Sequence, residues 1–292
     1  MDLRARTILL AVGGSRAYGI HRPDSDTDVK GVAIPPAVYF HGVWSRFEQS
    51  GDVAVFADLV GPCEGVVFDI RKFLALAAEC NPNILDVLFC RDEEVRLVTP
   101  LGRRLRDARE LFVTARARFT FGEYAAAQLK RIKGHRRWLL DPPKGPPDRA
   151  ACGPAEYLAA RRAWRQYEEW RTKRNPARAA LEARAGFDTK HAAHLVRLLR
   201  MGREILETGR VNVWREDAEE LKAIRDGAWP YERVVEVAEA GERALAELWE
   251  SGRHVVPATP DRDAIERLGV ELVEEAIGYR GSQCNGGGRQ TP

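Results

Sequence analysis

An apolar run, Thr7-Ile8-Leu9-Leu10-Ala11-Val12, enters a glycine turn, Gly13-Gly14-Ser15-Arg16-Ala17-Tyr18-Gly19. A short loop later, Asp24-Ser25-Asp26-Thr27-Asp28 opens a second apolar run over residues 29–34. This order specifies a strand, a glycine turn, a short helix or loop, and a second strand with two carboxylates at its start. Side chains two apart on a strand share a face, so Asp26 and Asp28 point the same way. Two carboxylates a few ångström apart repel each other unless positive charge lies between them, which makes a divalent metal the natural third party. The backbone amides of a Gly-Ser turn at a helix start suit phosphate oxygens. Together these features describe a site for a metal-bound triphosphate. Gly14 and Ser15 form its cradle, Arg16 and Tyr18 flank it, and Lys30 follows on the face of Asp28.

With 292 residues the chain has room for one large or two modest domains. Residues 1–99 mix strands and helices. Strands are expected over 7–12, 29–34 and 65–70, with an edge strand over 93–98. Helices are expected over 71–80, where Asn81-Pro82 stops the pattern, and over 84–89. Beyond Pro100 the strand signals nearly vanish. Amphipathic spacing over 101–111, 121–140, 155–174, 189–207, 216–225 and 231–251 predicts an all-helical domain across 100–279. The Pro-rich stretch 141–147 reads as an exposed loop, and 280–292, with Gly286-Gly287-Gly288, as a disordered tail. The fold class expected is α+β.

Forty-five per cent hydrophobic and thirty per cent charged residues describe a soluble globular chain. Net charge is only +3, because 46 basic residues face 43 acidic ones. The basic residues cluster at 130–137, 161–174 and 190–203, which permits polyanion binding. Lys190, His194 and Arg197 fall at helical spacings of four and three, forming one basic stripe with His191 beside it and Asp188 placed to cap the helix. Such a stripe suits a triphosphate or an acceptor phosphate. A His191–His194 metal pair, by contrast, has no third ligand nearby in sequence. Tyr124, Gln128, Lys130 and Arg131 lie along one helical region and could line an RNA path, whereas Trp164, Tyr167 and Trp170 read as core. Five cysteines, Cys63, Cys80, Cys90, Cys152 and Cys284, form no C-x-x-C pair, which fits a reducing cytoplasm and argues against a cysteine zinc site. The first apolar run is too short to span a membrane and reads as a strand rather than a signal peptide, and no later run qualifies as a membrane helix.

Gly14-Ser15 followed by Asp26-Thr27-Asp28 resembles the DNA polymerase beta superfamily of nucleotidyltransferases, which also requires a third carboxylate on a neighbouring strand. Glu64 and Asp69 flank the apolar residues 66–68, and strand alternation sets them on opposite faces. Asp69 could instead hold a substrate hydroxyl, brace Arg71 or Lys72, or cap the following helix. A closer resemblance rests on Gly14-Ser15-Arg16-Ala17-Tyr18-Gly19, Asp24-Ser25-Asp26-Thr27-Asp28-Val29, Phe68-Asp69-Ile70-Arg71-Lys72, Asn81-Pro82 and Gly186-Phe187-Asp188-Thr189-Lys190-His191-Ala192-Ala193-His194-Leu195-Val196-Arg197-Leu198. These look like the nucleotidyltransferases of bacteria and phages of the YcgL type, a polymerase-beta-like branch often associated with RNA repair. That branch usually carries Asp where this chain has Glu64, a difference of one methylene that keeps the charge, so the resemblance favours Glu64 as third carboxylate. It spans the N-terminal domain and the helical region to about residue 227.

The resemblance implies a transferase that moves a nucleoside monophosphate from an NTP, ATP included, to a hydroxyl and releases pyrophosphate. Two Mg²⁺ or Mn²⁺ ions would sit on Asp26, Asp28 and Glu64. Gly14, Ser15, Arg16, Lys190, His194 and Arg197 would hold the nucleotide, with Tyr18, Lys30, Asp69, Asp188 and His191 as further candidates. The acceptor implied is an RNA 3′ end, tRNA among them, in the cytoplasm and without a membrane partner. Rival readings are AMPylation of a partner protein by an antitoxin-like enzyme, transfer to a small molecule, and a non-catalytic nucleotide- or RNA-binding module.

Overall fold

The computed structural model describes residues 1–278 apart from Asp24 and Cys152, and they fall into two compact units: Met1–Phe112 with the segment from Thr259, and Val113–Ala258. Cys152, Cys284 and the expected tail 280–292 lie outside the described residues.

The first unit is built on a five-stranded mixed sheet. Its strands are β1 (Thr7–Val12), β2 (Asp28–Ala33), β3 (Gln49–Ser50), β4 (Glu64–Asp69) and β5 (Val95–Val98), in the order β3-β4-β2-β1-β5. β1 runs antiparallel to β2 and β5, while β2 and β4 are parallel. Every residue of β1 is buried, which is why the sequence shows a continuous apolar run there instead of alternation. On one face Leu10, Val29, Ala33 and Val67 join Leu3, Val53 and Phe56 in a core. The opposite face carries Asp28, Lys30 and Glu64, and further along β4 Phe68 meets Phe73 of the helix Ile70–Ala78 at 6.5 Å between ring centroids. Asp69 caps that helix, and Asn81 caps the helix Pro82–Phe89, whose first turn holds proline where an N–H has no helical partner.

Strand signals end at Val98, yet compactness does not divide the chain there. The helix Pro100–Asp107 lies so close to β1 that a Cβ at Gly102 would stand 2.0 Å from the Ile8 carbonyl oxygen. The helix Arg262–Ile277, absent from the sequence reading, returns to the sheet unit. It seats Leu74 against Gly269, and its Glu271 and Glu275 take the Arg104 guanidinium at 2.8 and 2.6 Å.

The second unit is helical. Its centre is the helix Thr189–Thr208, with Leu195, Val196, Leu198, Met201 and Ile205 buried, packed against the helices Ala117–Leu140, Tyr231–Glu250 and Ala218–Arg225. The helix Pro154–Thr172 follows the expected pattern, and the helix Pro176–Ala185 was not anticipated. Residues 141–151, the Pro-rich stretch among them, form no regular element. No helix of the described residues is long and apolar enough to cross a membrane.

Candidate active site

Three pieces of the first unit converge at the start of β2. After β1 the chain turns at Gly13, whose N–H donates to the Asp28 carbonyl at 2.8 Å, so the turn lies over the beginning of β2. Gly14 adopts φ +60°, a conformation that favours glycine. A Cβ there would also stand 2.0 Å from Asp28 Oδ2, which means the Asp28 carboxylate rests against the backbone of the turn. Ser15, half-buried, offers a hydroxyl that no other described residue engages. Arg16 acts locally: its guanidinium donates to the Ser25 carbonyl at 2.8 Å, while Ser25 Oγ accepts the Arg22 N–H at 2.8 Å. The loop that delivers Asp26 is thereby tied back to the glycine turn.

The parallel pairing of β2 with β4 sets Asp28 beside Glu64. Registered side chains on neighbouring strands share a face about 4.8 Å apart, so these two carboxylates lie side by side. Glu64 N–H donates to the Thr27 carbonyl at 3.0 Å, which extends the pairing towards Asp26. Gly65 permits this closeness, since a Cβ there would stand 1.9 Å from the Val29 carbonyl oxygen. Asp26 is exposed, Asp28 half-buried and Glu64 exposed. Among the described residues no hydrogen bond or ion pair engages any of the three carboxylates.

Asp69, the other candidate for third carboxylate, is buried on the opposite face of β4. It accepts the Arg71 backbone N–H at 2.8 Å and the Arg71 guanidinium at 2.9 and 3.0 Å, so both its oxygens are occupied. Arg71 in turn lies over the Phe40 ring at 4.4 Å. The capping and bracing roles expected for Asp69 are therefore both present.

Beneath the site lies a carboxylate that periodicity hides. Asp86 sits inside the apolar helix Pro82–Phe89 with 1 % exposure. Its Oδ2 accepts the Tyr18 hydroxyl and stands 3.6 Å from Lys30 Nζ, which donates to Asn83 Oδ1 at 3.0 Å. Tyr18 and Lys30, read from sequence as neighbours of the nucleotide, are thus anchored to one buried group under the Gly13–Gly14 turn. The only signal was a charge in the midst of Ile84-Leu85-Asp86-Val87-Leu88.

The remaining candidates belong to the second unit. Lys190 is exposed, His194 half-buried, and Arg197 buried at 2 %, where its guanidinium lies 3.0 Å from Met201 Sδ. The spacing correctly puts the three along one helix, but the stripe descends from solvent into the core and is not uniformly solvated. Gln128 departs from the expected RNA path: it is buried at 3 %, and its Oε1 pairs with His191 Nδ1 at 2.7 Å. Tyr167 packs among Trp138, Trp164 and Trp170 with centroid distances of 5.6 to 5.9 Å, in keeping with a core role.

Asp188 caps the central helix by accepting the His191 N–H at 3.0 Å, and its second oxygen meets His135, His191 and Arg178. Burial pushes the Asp188 carboxyl up, but the His135 hydrogen bond and the nearby positive charge of Arg178 outweigh burial and hold it well below the usual carboxylate range. Burial lowers the His191 imidazole from 6.5 to about 4, against the pull of Asp188 and with Arg178 adding to the fall.

Among curated proteins none matches the chain. The family model described as "RNA repair pathway DNA polymerase beta family" (RlaP) matches residues 2–247, from the strand–turn–carboxylate array through most of the helical unit. The chain belongs to the RNA repair pathway DNA polymerase beta family.

Proposed function

We propose that the chain transfers a nucleoside monophosphate from an NTP to the 3′ hydroxyl of an RNA, releasing pyrophosphate. The observation that carries this reading is the registered pair Asp28 and Glu64, with the Asp28 carboxylate held against the Gly14 backbone and no protein cation among the described residues engaging either group.

The donor set fits Mg²⁺ or Mn²⁺. Asp26, Asp28 and Glu64 offer hard oxygens, but among the described residues the three do not bring one oxygen each within 4.8 Å of one another, so no closed ligand set is preformed. Mg²⁺ favours such open sites, using one or two carboxylates and completing its shell with water and phosphate oxygens. When bound, two such ions supply positive charge for activating the acceptor hydroxyl and for the departing pyrophosphate. The chain's own contribution is position. The Gly13–Gly14 turn fixes the Asp28 carboxylate, Arg16 holds the loop that presents Asp26, and the β2–β4 register aligns Glu64. The Gly14–Ser15 amides and the Ser15 hydroxyl are available to phosphate oxygens. Asp86 keeps Tyr18 and Lys30 in place below them.

The RNA acceptor rests on family membership. Its test supplies each of the four NTPs, labelled, with Mg²⁺ or Mn²⁺ to separate pools of short RNA primers, tRNA and protein. Extension of RNA is expected, and it should be lost when Asp26 and Asp28 are both changed to Ala. Label entering protein alone would overturn the RNA acceptor in favour of AMPylation.

A further inference from the structure

The cluster around Asp188 lies within the helical unit and, beyond the Asp188 cap, takes no part in the site described above. Its ligating atoms come from two helices and the residue that caps one of them. His135 belongs to Ala117–Leu140, and Asp188 and His191 open Thr189–Thr208. Among the described residues this is the one group of three His, Cys, Asp or Glu side chains whose ligand atoms all lie within 4.8 Å of one another. Asp188 is fully buried, and the side chains of His135 and His191 are 17 % and 19 % exposed.

The hydrogen bonding leaves one imidazole nitrogen open to a cation. Gln128 Oε1 faces His191 Nδ1 at 2.7 Å, and an amide oxygen can only accept, so Nδ1 carries the proton of the neutral ring. His191 Nε2, left without that proton, lies 3.4 Å from Asp188 Oδ2 outside hydrogen-bond geometry, so its lone pair is available to a cation. The buried Gln128 is also the kind of outer partner that orients a ligating imidazole by accepting its other N–H. His135 Nδ1, 3.1 Å from the same oxygen, supplies the second nitrogen once the proton it donates to Asp188 is released on metal binding or passes to Nε2.

Arg178 binds Asp188 and also Glu182, which in turn takes Arg174 at 2.6 Å, so the two arginines are matched by the two carboxylates. Trp138 and Trp170 pack against His135, with ring centroids 5.6 and 5.4 Å from it. The sequence offered only His191 and His194 at helical spacing. The nitrogen that completes the group comes instead from His135, 53 residues before Asp188.

We propose that His135, Asp188 and His191 form a second metal site, for a zinc-class divalent ion, that clamps the helix Ala117–Leu140 to the start of Thr189–Thr208. Two imidazoles and one carboxylate suit Zn²⁺ or Co²⁺ far better than Mg²⁺, and three protein ligands leave a fourth position open to water or a substrate oxygen. The site is chemically distinct from the all-oxygen group at Asp26, Asp28 and Glu64, and does not depend on the activity proposed there.

Chelator-treated full-length protein titrated with Co²⁺ tests it. One equivalent should bind with a visible ligand-field band that Zn²⁺ bleaches, and melting should shift upwards. His191→Ala and His135→Ala should each weaken binding by about tenfold or more, Gln128→Leu by about 10–100-fold through loss of ring orientation, and the Asp26→Ala/Asp28→Ala double variant should bind as the native chain does. If His191→Ala fails to fold, His135→Ala, on the partly exposed rim, decides. Absence of stoichiometric binding, or binding indifferent to both histidines, would overturn the proposal and leave a hydrogen-bonded hub. Binding lost only in the double aspartate variant would overturn it as well.

Discussion

At the scale of single residues, Gly14 and Asp86 define the site from above and below. Gly14 has a left-handed backbone and leaves no room for a side chain beside Asp28 Oδ2. Gly14→Ala is therefore expected to displace the Asp28 carboxylate. Nucleotidyl transfer should fall by about 10²-fold or more, while the conformational cost to stability stays near about 1–2 kcal/mol. Activity assays beside thermal melts check this; full activity in Gly14→Ala would mean that the turn does not position Asp28. Asp86 supports two side chains at once. Removing one partner of a buried polar group costs about 1–3 kcal/mol per group left unpaired, so Asp86→Ala should lower the melting temperature clearly. Asp86→Asn, which keeps an acceptor for Tyr18, should lower it less. Equal melting of the two variants would count against the Tyr18 anchor.

At the scale of elements, what was legible depended on how local the signal was. β1 appears over the expected residues because five consecutive apolar side chains after Thr7 lead straight into a glycine turn, and β2 and β4 differ from expectation by one residue at each end. The Asp188 cap and the helix behind it follow from a local pattern of cap and periodicity. The helices Pro176–Ala185 and Arg262–Ile277 were missed, the former because Ala, Arg and Glu give little apolar contrast. Asp26 and Asp28 were readable from a motif, but the Asp28–Glu64 register was not, because strand pairing is set by tertiary context. His135 was unreadable for the same reason, as it reaches Asp188 across 53 residues. The meeting of these helices also has a pH consequence. In metal-free protein the folded His191 titrates at about 4, against 6.5 when unfolded. Between those values the unfolded chain binds more protons, so stability is complete above pH 6.5 and declines as pH falls towards 4, by on the order of 3 kcal/mol. Melting curves across this range should show the decline in the native chain and a flatter profile in His191→Gln. Identical profiles would contradict the lowered His191 titration.

At the scale of the whole molecule, the sheet unit is discontinuous in sequence. The helix Arg262–Ile277 buries Ile265 and Leu272 and brings two glutamates to Arg104, within the same compact unit as the strands. Two buried aliphatic side chains amount to about 3–6 kcal/mol of transfer free energy. A chain ending at residue 258 should therefore melt several degrees lower in its N-terminal unit. Unchanged melting would mean that the returning helix adds nothing to the sheet. The family match stops at residue 247, short of that helix, while it covers both the carboxylate array and the Asp188 cluster. On the proposed function, Asp26, Asp28 and Glu64 form one reacting site across β2 and β4. Its most direct measurement is Mg²⁺- or Mn²⁺-dependent pyrophosphate release from NTP and RNA primer, compared between the native chain and the Asp28→Asn and Glu64→Gln variants. Release by the native chain is expected, with a loss of about 10²–10³-fold in each variant and melting temperatures close to native. Release that persists undiminished in Asp28→Asn or Glu64→Gln would contradict it.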